Sequence, residues 1–172
     1  MTMNLFKNLH AMKKLSMLIM ASFLLVSTAC AHDSHDSKDA KSSATGELSN
    51  MKISIQITSE SGNHTLTAML ENNSSAVAFY ELLKKGSVTI SMHDYGSFEK
   101  VGSLGKTLPR NDTQITTSAG DIILYQGNQI TIYYDTNSWN FTRLGKVDGV
   151  TQAELKKILG KGDVTAVFEI AE

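Results

Sequence analysis

The sequence predicts a mainly β domain over residues 51–172, closed into a barrel and accompanied by two short capping helices. Three observations predict it. Apolar and polar residues alternate at period two in successive short runs, beginning with Ile53, Ile55 and Ile57 against Lys52, Ser54 and Gln56. Turn residues such as Gln126-Gly127-Asn128 separate such runs at hairpin spacing. Two stretches carry helix-start residues, Asn73-Ser74 and Thr151 with Glu154. A strand-rich chain without internal repeats removes its exposed edges most simply by closing on itself, and two helices can then cover the open ends.

The domain is preceded by two segments of different character. In residues 1–29, Lys13 and Lys14 form a basic start, Leu15 to Val26 an apolar run, and Ser27, Thr28 and Ala29 a small-residue approach to Cys30. That order describes a secretory signal, and the apolar run falls short of the roughly 20 residues that span a bilayer. Because the small residues end on cysteine, Val26-Ser27-Thr28-Ala29-Cys30 resembles a bacterial lipobox. The resemblance implies cleavage before Cys30 and acylation of that residue, with enough lipid for stable membrane anchoring. Cys30 is the sole cysteine, so a lipidated chain has no thiol left for a disulfide, a nucleophile or a metal.

Residues 31–50, AHDSHDSKDAKSSATGELSN, hold almost nothing apolar and read as a flexible tether. The cluster His32, Asp33, His35 and Asp36 is better read as solvated tether than as a metal site, since such a strip fixes no geometry. Three of the 16 basic residues precede Cys30, leaving 13 against 17 acidic groups, a net charge of −4. That balance argues against a nucleic-acid partner, which requires clustered Lys and Arg.

From Met51 the elements follow in order. Ile53 to Ile57 and HTLTAML form a hairpin about Gly62-Asn63. A helix starts at Asn73 or Ser74, presents Ala76, Val77, Phe79, Tyr80, Leu82 and Leu83, and ends at Gly86. SVTISMH is a strand with Val88, Ile90 and Met92 inward, and residues 94–120 read as irregular. Asp121 to Tyr125 and Ile130 to Tyr134 make a second hairpin, and Phe141 to Val147 a further strand. Thr151 and Glu154 have the spacing of a capping box, with Leu155, Ile158 and Leu159 inward; Gly160 ends that helix and Asp163 to Ile170 is the last strand.

This order, with NSSAVAFYELL, GSVTISM, AGDIILYQGNQITIYY and FTRLGKVDG, resembles the small bacterial cyclophilin-like proteins, compact relatives of the cyclophilin barrel. The resemblance covers Met51 to Ala171. Its most specific pieces are Gly120 to Tyr125, the Asn128-Gln129 hairpin tip and Thr142-Arg143-Leu144-Gly145-Lys146-Val147. It implies a closed cyclophilin-like β-barrel with a helix at each end. Prolyl isomerisation is not implied, because the Phe-His-Arg and Gln-Gly-Gly motifs of the catalytic members are absent. The only arginine between Met92 and Gly120 is Arg110. The run around Arg143 resembles a framework strand of true cyclophilins.

The candidate ligand-binding residues are Tyr95, Phe98, Tyr125, Trp139, Phe141 and Arg143. Asp94, Tyr95, Phe98 and Glu99 fall in the irregular segment where a ligand groove would sit in this fold, and loops often carry binding functions. Phe141 and Arg143 share one face of a regular strand while Leu144 takes the other. Arg143 is equally readable as an exterior side chain paired with Asp121 or Asp135. His93 and Asp94 point to opposite strand faces, so they read as surface groups rather than an acid–base pair. Gly102 to Thr107 lacks phosphate-loop spacing. No metal or cofactor pattern is present. The expectation is a monomeric lipoprotein of the bacterial cell envelope, facing the periplasm or exterior, whose barrel is a non-catalytic or weakly catalytic binding module for peptides or small ligands. Prolyl isomerisation of exported proteins is the alternative.

Overall fold

The computed structural model describes residues 50–172. The signal segment, Cys30 and nearly all of the tether lie outside the described residues. The described chain runs β1 (Lys52–Ser59), β2 (Gly62–Leu70), α1 (Ser74–Leu83), β3 (Val88–Tyr95), β4 (Glu99–Ser103), β5 (Thr113–Thr116), β6 (Asp121–Tyr125), β7 (Gln129–Tyr133), β8 (Ser138–Val147), α2 (Gln152–Leu159) and β9 (Val164–Ile170). Neighbours in the sheet follow the order β2-β1-β9-β3-β4-β7-β6-β8, and β2 pairs back onto β8. The result is the closed antiparallel barrel that the sequence predicts.

The pleat explains the filling. Ile53, Ile55 and Ile57 of β1 face Ala68, Leu66 and Leu70 of β2, Ile122 and Leu124 of β6, Ile130 and Ile132 of β7, and Phe168 of β9 in one core. The two helices stopper opposite ends. Asn73 caps α1, accepting from the Ala76 amide at 2.9 Å, while its own amide group donates to the Arg143 carbonyl at 2.9 Å. Phe79 then enters edge-on to Phe168. At the other end, Thr151 and Glu154 form the expected capping box, and Leu155 and Leu159 enter the core.

Two local expectations need correction. The first hairpin turns at Glu60-Ser61, and Gly62 already pairs with Ser59. The hydroxyls of Ser59 and Ser61 both donate to the Ile158 carbonyl of α2, at 2.6 and 3.0 Å, which pins the turn there. The segment expected to be irregular also contains two strands, β4 and β5. Tyr95 and Glu99 are paired across a tip in which Gly96 and Ser97 both have φ near 59°. Alternation is invisible in Glu99-Lys100-Val101-Gly102 because its inward positions are a lysine and a glycine. Lys100 is fully buried, and its ammonium donates to Asp94 at 2.9 Å and to the Gly162 carbonyl at 2.7 Å.

Closure depends on β8. Its register against β6 jumps between Gly145 and Arg143, so Leu144 is the extra residue of a β-bulge. Just beyond, Leu70 of β2 pairs with Gly145. A Cβ at Gly145 would stand 2.4 Å from the Met69 carbonyl oxygen and 2.9 Å from the Leu70 Cα, and neither backbone atom can move aside cheaply. Gly145→Ala is therefore expected to destabilise the fold by about 2–3 kcal/mol, the upper range for overpacking. Urea denaturation checks this; an unchanged midpoint would mean that the closure tolerates a side chain.

Candidate functional site

Residues on the outer side of the pleat form cross-strand rows. Tyr95, Glu99 and Tyr133 align across β3, β4 and β7. His93, Val101, Thr131, Ile123 and Arg143 align across β3, β4, β7, β6 and β8. Gln129 and Tyr125 align across β7 and β6. An antiparallel barrel ordinarily presents polar residues here, so this much aromatic surface needs a cover.

The cover is partial. The first part of β8 pairs with β5 from Phe141↔Thr113 to Ser138↔Thr116. Phe141 closes on Tyr133 and Tyr125, with ring centroids at 5.7 and 6.3 Å. Ile123, Tyr133 and Phe141 thus make a second small core outside the barrel, joined by Phe98, Ile115 and Tyr125. Phe98 lies stacked on Tyr133 at 5.9 Å and edge-on to Tyr95 at 5.8 Å.

An open groove of about 450 Å³ remains, lined by His93, Tyr95, Glu99, Val101, Tyr125, Gln129, Tyr133, Asn137, Trp139 and Phe141. This lies within the usual range for small-ligand sites. Tyr95 and Trp139, 59% and 60% exposed, stand on it as large side chains left to solvent.

In this groove Glu99 is only 7% exposed. Tyr133 is its cross-strand neighbour, with a phenol that favours the ionised carboxyl, and the Asn137 amide donates to the Tyr133 oxygen at 3.4 Å. Among the described residues, Glu99 Oε2 is buried with no hydrogen-bond partner. Burial pushes the Glu99 carboxyl above the usual range, against the smaller opposing effect of the Tyr133 phenol. Burial and the Glu99 acceptor push the Tyr133 phenol well upward, so it remains a hydrogen-bond donor at any ordinary pH.

The structure brings Tyr95, Tyr125, Trp139 and Phe141 together in the groove, with Phe98 packed against its Tyr95 and Tyr133 walls. Arg143 lies elsewhere. Its guanidinium contacts the buried Asp121 carboxylate at 3.1 Å, which also takes Lys146 at 3.1 Å. It borders a separate recess with Glu71, Asn73, Asn111, Thr113 and Ile115. Arg110 is paired with Asp112. His93 is exposed at the groove wall, whereas Asp94 turns to Lys100 and Tyr134.

Sequence reasoning left Glu99 as one of several loop residues and passed over Tyr133, Gln129 and Asn137. The usable signal was the tip Gly96-Ser97-Phe98. Read as a hairpin, it sets Tyr95 opposite Glu99.

A carboxyl whose pKa is higher in the folded than in the unfolded chain weakens the fold once it ionises. Stability is lost as pH rises from the ordinary glutamate value of 4.5 through the raised folded value. Asp94 acts in the opposite sense. Burial raises it, but hydrogen bonds from Tyr134 and Lys100 outweigh this and lower it, so its contribution is lost as pH falls below the ordinary value of 3.8. Glu99→Gln is expected to stabilise the protein at pH 8 by about 1–3 kcal/mol and to leave stability near pH 4 almost unchanged. Thermal unfolding across pH measures both; equal effects at the two pH values would contradict the burial of an ionisable carboxyl.

Comparison with known proteins supports the same architecture. Residues 59–169 match the family described as the cyclophilin-like family. No curated protein matches the sequence significantly. Among solved structures, the hypothetical protein AF2241 from Archaeoglobus fulgidus is 14% identical, with a TM-score of 0.49, covering 70% of this chain and 96% of its own. McbB, solved in complex with tryptophan, is 14% identical with a TM-score of 0.51 over 69% of this chain. The match spans 44% of the McbB chain, and the likeness concerns the fold alone. With its family match running from the end of β1 to β9, the chain belongs to the cyclophilin-like family.

Proposed function

We propose that the protein is a binding module of the bacterial cell envelope, anchored through lipidated Cys30, whose barrel takes peptides or small ligands in the outer-wall groove. The observation that carries this reading is the pair of exposed aromatics, Tyr95 and Trp139, flanking an open cleft over the buried Glu99 carboxyl. Large aromatics left in water beside a concave surface contribute binding energy when covered. A signal of residues 1–29 and a polar tether of residues 31–50 suit a monomeric domain held clear of a membrane. The net charge of −4 after Cys30 gives no electrostatic basis for nucleic-acid binding.

Prolyl isomerisation ranks second. Such catalysis uses a donor beside the twisting peptide in an apolar pocket, and the groove supplies apolar walls. Its arginines, however, are occupied elsewhere. Arg143 is paired with Asp121 and Arg110 with Asp112, and neither borders the groove.

Trp139 is the only tryptophan of the chain and stands on the groove, so its emission reports occupancy. Titrating the full-length protein with short peptides and small aromatic compounds should yield ligands that shift this emission. Tyr95→Ala should weaken them about tenfold. Ligands that bind without moving the emission, or that ignore Tyr95→Ala, would place binding elsewhere. For the anchor, cells fed a labelled fatty acid should label the wild-type protein and not Cys30→Ser; an unlabelled wild-type protein would remove the lipoprotein reading.

A further inference from the structure

The groove is apolar on its walls and acidic on its floor. Glu99 is packed under aromatic rings, with one carboxyl oxygen that has no hydrogen-bond partner among the described residues, and a donor entering the groove would supply one. We propose that the groove recognises an organic ammonium group carried on an apolar or aromatic body, with Glu99 as its counter-ion. The proposal rests on the groove being the binding site.

Among the described residues no cation is paired with this carboxyl. Lys100, its sequence neighbour, is directed into the barrel toward Asp94 and the Gly162 carbonyl. Arg143 and Lys146 are bound to Asp121, and Arg110 to Asp112. The other polar groups on the groove are the phenols of Tyr133, Tyr95 and Tyr125, the Trp139 indole N–H, and Asn137, Gln129 and His93.

A neutral apolar ligand would cover Glu99 and leave Oε2 buried and unpaired, which is unfavourable. An anionic ligand would add repulsion. An ammonium supplies both the missing donor and the missing charge, while the ring faces of Tyr95, Tyr125 and Trp139 attract a cation beside them. The chain after Cys30 is net negative, which favours approach of a cation as well.

Because burial raises the Glu99 pKa, ammonium binding must compete with a proton on the same carboxyl. Affinity for the amine therefore rises with pH until Glu99 is fully ionised. The titratable groups facing Glu99 are Tyr95 and His93 from β3, Tyr133 from β7 and Tyr125 from β6. Asp94, Lys100 and Tyr134 form their own bonded set on the other face.

The test uses the full-length protein and Trp139 emission at pH 8, comparing phenethylamine with its neutral counterpart 2-phenylethanol. A second pair, a capped peptide with one lysine and the same peptide with norleucine, tells whether a free amine or a peptide side chain is the better carrier. At least one amine member should bind ten times or more tighter than its neutral partner. Glu99→Gln should reduce that ratio to less than twofold while neutral binding is kept or improved. Equal affinities within both pairs, or a ratio that survives Glu99→Gln, would overturn the proposal. If the equal affinities also weaken in Tyr95→Ala, the groove stands as a binding site and only the ammonium preference falls. If some other peptide or compound binds there but none of these four probes does, the proposal falls alone; if nothing binds there, both readings fall.

Discussion

Strand β8 is the constraint on which the rest of the structure depends. Its last residues close the barrel against β2, its middle pairs with β6, and its first residues leave the ring to pair with β5. One strand thus seals the interior and supplies the outer wall of the groove. The bulge at Leu144 separates the two tasks by letting the strand bend. Gly145 permits the close approach of β2 that the bend requires. Without that geometry Trp139 and Phe141 would not be held over β6 and β7.

The neighbours Glu99 and Lys100 illustrate how the two faces of one strand treat buried charge. The pleat sends them to opposite sides. Inside, Lys100 is met by Asp94 and a carbonyl, and the Tyr134 phenol donates to the same Asp94 at 2.5 Å. That set is complete, and it serves the fold. Outside, Glu99 has the Tyr133 phenol beside it and, among the described residues, no cation. A buried charge lacking a partner is costly, and such groups concentrate where a ligand or reaction completes them. The contrast is what distinguishes the groove from an ordinary patch of exposed rings.

Much of the fold was legible in the sequence because most inward positions are apolar and alternate cleanly, as in Ile53, Ile55 and Ile57. Both helix starts were legible, the first as Asn73 or Ser74, of which Asn73 is the cap, and the second from the spacing of Thr151 and Glu154. Strand β4 was not, since Lys100 and Gly102 occupy its inward positions and no hydrophobic period survives. Strand β5, Thr113 to Thr116, is short and largely exposed, so its pairing with β8 leaves no mark on composition. For the site, the aromatic members could be picked out as large side chains near irregular segments. The acidic floor could not, because the surroundings of Glu99 come from Tyr133 and Asn137, which are distant in sequence and brought beside it by the pairing of β4 with β7. Arg143 drew notice as a rare cation, yet its partner Asp121 settles it on the framework.

Everything proposed for the groove turns on Glu99 being a buried, incompletely satisfied carboxyl on its floor. Its side-chain carbon resonance, followed by NMR through a pH titration of the ligand-free protein, measures this directly. The expected midpoint lies clearly above the ordinary glutamate value of 4.5. A midpoint at or below that value would mean that water or an unrecognised cation already satisfies the carboxyl, and that the groove has no unmet charge on its floor.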